Sequence, residues 1–145
     1  MGTWLTRKVH YMAKGELFKI PGLGWLIRQT GAFPVRRGGV SKESIRGALR
    51  ILDNGGVIGI FPEGTRARGN TVIPKRGAVN LAFKSGATVV PAAIIGTYRL
   101  FRPMHIVYGS PVDLSEFADD HSSEAQERAT DKIMSVIRGL MTEHE

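Results

Sequence analysis

The stretch from Gly56 to Asn70, GVIGIFPEGTRARGN, constrains the fold most, because an apolar run meets a cluster of charges without a spacer. The run from Val57 to Phe61 is rich in branched apolar side chains, which is typical of a buried strand. Glu63, Arg66 and Arg68 follow it within a few residues. We therefore expect a strand that is buried along its length and opens onto a polar edge at its carboxyl end.

Short apolar runs alternate with segments of helical spacing along the chain. The predicted strands are Val9 to Ala13, Ala32 to Val35, Val57 to Phe61, Ala87 to Ile95 and His105 to Gly109. The predicted helices run from about Leu23 to Gly31, from an N-cap at Ser41 to a stop at Asn54, from Gly77 to Lys84, and from Ser122 to Thr142, the last with an apolar face of Ile133, Val136, Ile137, Leu140 and Met141. This alternation predicts an α/β fold with a layered, mostly parallel sheet and flanking helices.

The composition limits the class of protein. A chain of 145 residues, 42% hydrophobic and 23% charged, is long enough for a core, and we expect residues 1–145 to form a single domain. Cysteine is absent from the sequence, which excludes disulfides, thiolate metal sites and a cysteine nucleophile. The longest apolar stretch, Ala87 to Ile95, contains Pro91 and is far shorter than the ~20 residues of a membrane-spanning helix.

The charge balance favours anionic partners. Twenty Lys and Arg against 13 Asp and Glu give a formal charge of +7, which suits phosphate esters, anionic lipid surfaces or nucleic acid. Most basic residues lie in the first half of the chain, whereas the stretch from Asp113 to Glu127 is acidic. We therefore expect a basic face around one site rather than a uniformly basic surface.

Basic and small polar residues follow the ends of the predicted strands, where ligands gather in parallel sheets. The candidate anion-binding residues are Lys14, Arg36, Arg37, Glu63, Gly64, Thr65 and Arg66. The planar guanidinium of an arginine suits a pair of phosphate oxygens, and glycine lets the main chain approach a ligand. The Thr65 hydroxyl adds a hydrogen-bond donor. The Glu63 carboxylate can orient an arginine or accept a hydrogen bond from a ligand hydroxyl.

Each of these residues also has a structural interpretation. Glu63 and Arg66 are spaced to pair with each other at the surface, and Arg36-Arg37 alone is typical of a solvated edge. Lys75 and Arg76 precede a helix N-terminus, which stabilises anions, although solvation is the commoner role of such a pair. Trp4 and Trp25 favour packing or an interface over a substrate platform.

The hexapeptide FPEGTR, Phe61 to Arg66, resembles the signature of the glycerolphosphate acyltransferase family, whose best-known members are the lysophosphatidic acid acyltransferases. Three further segments are similar to that family in the same order: MAKGELFKIPGLGWLIRQTGAFPVRRG from Met12, KRGAVNLAF from Lys75 and ATVVPAAIIG from Ala87. The resemblance covers roughly Val9 to Gly109. It implies transfer of a fatty acyl group from acyl-CoA or acyl carrier protein to a lysophospholipid hydroxyl, with no other cofactor and no metal. It also implies that Arg36 or Arg37, Glu63 and Arg66 help to bind the acceptor phosphate.

One family feature is missing from the sequence. The family's catalytic block is a histidine followed five residues later by an aspartate, with the histidine as general base. Here the residues five places after His10, His105 and His121 are Gly15, Ser110 and Gln126. We therefore assign no catalytic residue in this chain, and we expect that the block belongs to a segment upstream of Met1.

Three hypotheses follow from the sequence. The first is a phospholipid-synthesis acyltransferase that is cytoplasmic and peripheral to an anionic membrane, contacting it through Trp4 and through basic residues such as Arg7, Lys8, Arg28, Arg99 and Arg102. The alternative is a non-catalytic protein that binds lysophospholipid or anionic lipid with the same residues. Nucleic-acid binding rests on charge alone, because the sequence contains no zinc spacing and no helix-turn-helix or ribonucleoprotein pattern. We therefore expect no nucleic-acid partner.

Overall fold

The computed structural model describes residues 7–35, 42–62, 76–96, 104–117, 119–120 and 122–144. The chain divides into two compact units, Met1–Phe61 and Pro62–Glu145. The first unit contains a parallel sheet with helical connections, and the second contains an antiparallel strand pair with two helices. The predicted α/β class is confirmed, whereas the single-domain assignment stays a prediction.

The first unit is built on three parallel strands, β1 (Val9–Lys14), β2 (Phe33–Val35) and β3 (Val57–Gly59). Their order is β2-β1-β3, with β1 in the centre. Met12 pairs with Phe33 on one side of β1, and Val9 pairs with Val57 on the other. Parallel neighbours need crossover connections, and the helical segments between these strands supply them.

Two helices connect the strands of the first unit. A 3₁₀ segment, Gly15–Lys19, follows β1 at once and is succeeded by α1 (Leu23–Gln29). Helix α2 (Lys42–Asp53) lies between β2 and β3, with Ala48 fully buried. It ends at a turn in which the Gly55 N–H donates to the Leu52 carbonyl oxygen (N–O 2.9 Å) with Gly55 at φ 72°, a conformation that glycine adopts without strain. The predicted N-cap, Ser41, lies outside the described residues.

The second unit contains α3 (Gly77–Ser85), β4 (Ala92–Ile95), β5 (His105–Tyr108) and α4 (Ser123–His144). The two strands are antiparallel, with Ala93 opposite Val107. The pairing continues beyond them, because the Gly109 N–H donates to the Pro91 carbonyl oxygen and Val112 bridges to Val89. The core of this unit joins α3 to α4 through Val79, Phe117, Ala125, Ala129 and Ile133.

Three sequence predictions need correction. The strand predicted from Val57 to Phe61 ends at Gly59, and the Phe61 side chain is exposed. The strand predicted from Ala87 to Ile95 is regular only in β4, because Pro91 has no N–H to donate to a ladder. The predicted inner face of α4 included Met141, which is exposed, and missed Ala125, Ala129 and Met134, which are buried. Ala125 and Ala129 are small enough for α4 to pack closely on the rest of the unit. A prediction based on large apolar side chains does not detect such positions.

Candidate active site

The carboxyl ends of three parallel strands define the candidate site. Strands β1, β2 and β3 point the same way, so their last residues, Lys14, Val35 and Gly59, lie toward one edge of the sheet. Lys14 pairs with Val35 in the main-chain register, and the next residue along the chain is Arg36. The sheet therefore has the polarity that the strand-end prediction required.

The predicted site residues differ in how far the structure describes them. Lys14 is the last residue of β1, at the edge where ligands bind in parallel sheets. Arg36 and Arg37 lie outside the described residues, and so do Glu63, Gly64, Thr65 and Arg66. Their role in binding an anion stays a prediction.

A close contact that the sequence did not reveal lies near this edge. Tyr11 of β1 is paired with Gly59 of β3, and a Cβ at Gly59 would overlap the Tyr11 ring. Only glycine at position 59 leaves room for the aromatic side chain over the neighbouring strand. The signal in the sequence is the single glycine that interrupts the run VIGIF, which marks a close approach of another group.

His10 has a structural role in this arrangement. Its Nδ1 lies 2.9 Å from the carbonyl oxygen of Gly31, and because a carbonyl can only accept, Nδ1–H is the donor. Gly31 has φ 81°, and a Cβ there would lie 3.1 Å from His10 Nδ1 and closer still to the Lys8 side chain. The bond therefore joins β1 to the turn after α1.

Arg76, one of the two basic residues that precede α3, binds protein groups. Its guanidinium donates to the Glu127 carboxylate (N–O 3.0 Å) and to the Ser123 hydroxyl, both on α4. The contact connects the start of α3 to the first turns of α4. The structure thus favours an interhelical role for Arg76.

The described residues were also compared with the requirements of a metal site and of a membrane-spanning helix. Among the described residues, His, Asp and Glu side chains form no group of three or more that suits a metal ion. Within that same part of the chain, no helix combines the length and apolar character needed to cross a bilayer.

Comparison with known proteins identifies the family. A family model described as Acyltransferase matches residues 1–95. The chain belongs to the acyltransferase family. The resemblance seen in FPEGTR and its neighbouring segments is therefore confirmed, and so is the enzyme class that it implied.

Two relatives of this acyltransferase-family chain carry the same name. The chain is 36% identical over 141 residues to the 1-acyl-sn-glycerol-3-phosphate acyltransferase of Bacillus subtilis, and the match covers 94% of this chain and 70% of that protein. The enzyme of the same name from Borreliella burgdorferi is 32% identical over 93 residues, or 62% of this chain and 37% of the relative.

A solved acyltransferase structure has a fold similar to that of this chain. The 1-acyl-sn-glycerophosphate (LPA) acyltransferase PlsC from Thermotoga maritima matches with a TM-score of 0.68 and 28% identity. The match covers 95% of this acyltransferase-family chain and 57% of that structure. The chain therefore spans little more than half of a solved relative, and 28–37% of several curated ones.

Proposed function

We propose that this chain is the acceptor-binding part of a lysophosphatidic acid acyltransferase of phospholipid biosynthesis. The observation that carries the proposal is the 36% identity to the Bacillus subtilis 1-acyl-sn-glycerol-3-phosphate acyltransferase across nearly the whole chain. The FPEGTR segment and the excess of basic residues support it from the sequence.

The reaction is an acyl transfer. The free hydroxyl of a 1-acyl-glycerol 3-phosphate attacks the thioester carbonyl of acyl-CoA or acyl carrier protein. A carbon–oxygen bond forms and the carbon–sulfur bond breaks. The hydroxyl proton goes to a general base, which returns it to the departing thiolate, so that the carrier leaves as a thiol. Such a base typically contributes about 10²- to 10⁴-fold to the rate.

The residues of this chain supply phosphate binding in the proposal. Arg66, with Arg36 or Arg37, binds phosphate oxygens through charge-assisted hydrogen bonds, and Lys14 adds a positive charge. Gly64 and Thr65 bring a main chain without a Cβ and a hydroxyl donor to the same phosphate. Glu63 orients an arginine or accepts a hydroxyl of the acceptor.

A second function has one observation in its favour. The sequence contains no histidine followed five residues later by an aspartate, so a lysophospholipid-binding protein without catalysis is the alternative. Both functions require acceptor binding, and only the first requires turnover when the catalytic pair is supplied.

The experiment compares this chain with the same chain extended at its N-terminus by a segment that carries a His-x-x-x-x-Asp pair. Thin-layer separation measures phosphatidic acid formed from lysophosphatidic acid and acyl-CoA or acyl carrier protein. Product from the extended chain, abolished by a His→Ala change in the added His-x-x-x-x-Asp, supports the proposal. Acceptor binding without product in the extended chain favours the alternative, and absence of acceptor binding overturns both.

A further inference from the structure

An exposed apolar surface lies in the connection between β1 and β2. It consists of five side chains from the 3₁₀ segment, the following turn and α1: Leu17, Ile20, Leu23, Trp25 and Leu26. Trp25 is 66% exposed and Leu26 is 53% exposed, although both are large apolar side chains. We call this set the apolar face. A group of large exposed apolar side chains within one short segment is typical of a site of interaction.

The packing of α1 explains why these side chains point outward. Gly24 is buried, its N–H donates to the Ile20 carbonyl oxygen (N–O 2.8 Å), and a Cβ there would overlap the main chain of Phe18. The side of α1 that carries Gly24 is therefore fixed against the 3₁₀ segment. Trp25 and Leu26 follow at about 100° per residue, so the exposed side of the helix carries two large apolar side chains beside Arg28.

The chain that carries the apolar face is basic after Glu16, an exposed carboxylate at the start of the 3₁₀ segment. No Asp or Glu occurs between Glu16 and Glu43, whereas Lys19, Arg28, Arg36, Arg37 and Lys42 all lie in that interval. Lys19 and Arg28 are exposed, and the Arg28 guanidinium lies 5.9 Å from the centroid of the Phe18 ring. Apolar side chains flanked by basic ones complement the acyl region and the anionic headgroups of a bilayer.

The position of the apolar face connects it to the candidate site. The 3₁₀ segment begins at Gly15, immediately after Lys14 at the carboxyl end of β1. Helix α1 then leads into β2, after which the chain continues to Arg36. The face is thus carried by the connection that begins at the carboxyl end of β1, next to Lys14, and returns to the start of β2.

We propose that the apolar face is the surface that docks onto an anionic lipid bilayer, with Trp25 and Leu26 inserted among the acyl chains and Lys19 and Arg28 at the headgroups. The proposal rests on the proposed function in one respect: a lysophospholipid acceptor is an amphiphile that resides in a bilayer. Among the basic residues first expected to contact the membrane, Arg28 belongs to this surface. Arg7 instead donates to the Gly55 carbonyl oxygen.

The test measures sedimentation of the full chain with vesicles of phosphatidylglycerol and phosphatidylcholine, and with phosphatidylcholine alone. The double variant Trp25→Gln/Leu26→Gln is compared with Val90→Gln/Met104→Gln, whose positions are 52% and 49% exposed in the second unit. We expect the first pair to lower partitioning about tenfold or more and the control pair to leave it unchanged. Lys19→Gln and Arg28→Gln should each lower binding to the anionic vesicles about fivefold and weaken its salt dependence.

A spectroscopic measurement keeps the test independent of folding. In a Trp4→Phe background, Trp25 emission should shift to the blue on vesicle addition and be quenched by bromine-labelled acyl chains, while far-UV circular dichroism reports the fold. An unshifted Trp25, or equal losses in both double variants, would overturn the proposal. So would a first double variant that abolishes self-association but still binds vesicles, because the face would then be covered by a second copy.

The vesicles contain neither lysophospholipid nor acyl donor. Failure of the proposed acyltransferase function therefore leaves their binding unaffected. Failure of the membrane proposal leaves acceptor binding in solution unaffected.

Discussion

Gly24 of α1 lies directly against the main chain of Phe18, so that a Cβ added to Gly24 would lie 2.9 Å from the Phe18 carbonyl carbon and closer still to its oxygen. This contact fixes α1 against the 3₁₀ segment and turns Trp25 and Leu26 toward solvent. One glycine thus determines which side of a short helix becomes the exposed apolar face.

Gly24→Ala should destabilise the first unit. The clash is with main-chain atoms, which cannot rotate away, and overpacking of this kind typically costs about 1–3 kcal/mol. Gly47→Ala is the matched control, because Gly47 lies inside α2 with no atom within 4 Å of its would-be Cβ. That change should stabilise by about 0.5–1 kcal/mol. Urea unfolding measures the free energy of unfolding of both variants. Similar effects of the two changes would show that the contact between Gly24 and Phe18 does not exclude a side chain at position 24.

Val79→Ala should destabilise the second unit by about 1–3 kcal/mol, because two buried methyl groups are lost and a cavity is left. Val79 is 1% exposed and belongs to the core that joins α3 to α4. Val90→Ala removes the same atoms from an exposed position and should cost less than about 1 kcal/mol. Thermal unfolding of both variants checks the difference, and equal costs would contradict the assignment of the core.

Arg66→Ala should weaken binding of glycerol 3-phosphate about tenfold to a hundredfold, which corresponds to the roughly 1.5–3 kcal/mol of a charge-assisted hydrogen bond. Arg66→Lys should also impair binding, because an ammonium cannot form the two parallel bonds of a guanidinium. The control is Arg138→Ala on the exposed side of α4. Isothermal titration calorimetry provides the affinities, and unchanged binding in both Arg66 variants would assign this arginine to structure or solvent.

Asp113 should make stability depend on pH in the acid range. The Ser115 N–H donates to Asp113 Oδ1 (N–O 2.9 Å), and this bond, followed by the Ser115 side chain and the Lys132 charge, lowers the pKa of Asp113 below its ordinary value of 3.8. A lowered pKa in the folded state gives stability that is present above 3.8 and is lost as pH falls through the folded pKa.

The measurement compares wild type with Asp113→Asn, which keeps a side-chain oxygen but cannot ionise. The stability difference in urea should favour the wild type near neutral pH and shrink in acid, while Asp131→Asn, at an exposed site of α4, serves as the control. A difference that stays constant between about pH 6 and pH 2 would contradict the role assigned to the Asp113 charge.

The 145-residue chain alone should not catalyse acyl transfer at an enzymatic rate. The sequence contains no His-x-x-x-x-Asp, and general-base catalysis is typically worth about 10²- to 10⁴-fold. Binding and turnover should therefore separate: the acceptor binds, but phosphatidic acid does not accumulate. Robust turnover would refute this expectation and direct attention to Glu63, His10 and His105 as bases.

Local patterns in the sequence determined the kinds of element and the family. The run VHYMA predicted β1, the segment between Ser41 and Asn54 predicted α2, and the segment from Gly77 to Lys84 predicted α3, which ends where Gly86 adopts the left-handed conformation. These features depend on each residue's own backbone preference and on the repeat of side chains along one face, so they need no knowledge of distant partners. The hexapeptide FPEGTR indicated the acyltransferase family for the same reason.

The tertiary structure decided which elements meet. The central position of β1 between β2 and β3, the antiparallel pairing of β4 with β5, and the buried alanines of α4 depend on contacts between residues far apart in sequence. The outward orientation of Trp25 was likewise set by the contact of Gly24 with Phe18, because hydrophobicity alone would assign such a side chain to the core. For the candidate site, the sequence proposed residues at strand ends, and the parallel pairing directed the carboxyl ends of β1, β2 and β3 toward one edge, with Lys14 level with Val35 and Gly59 level with Tyr11.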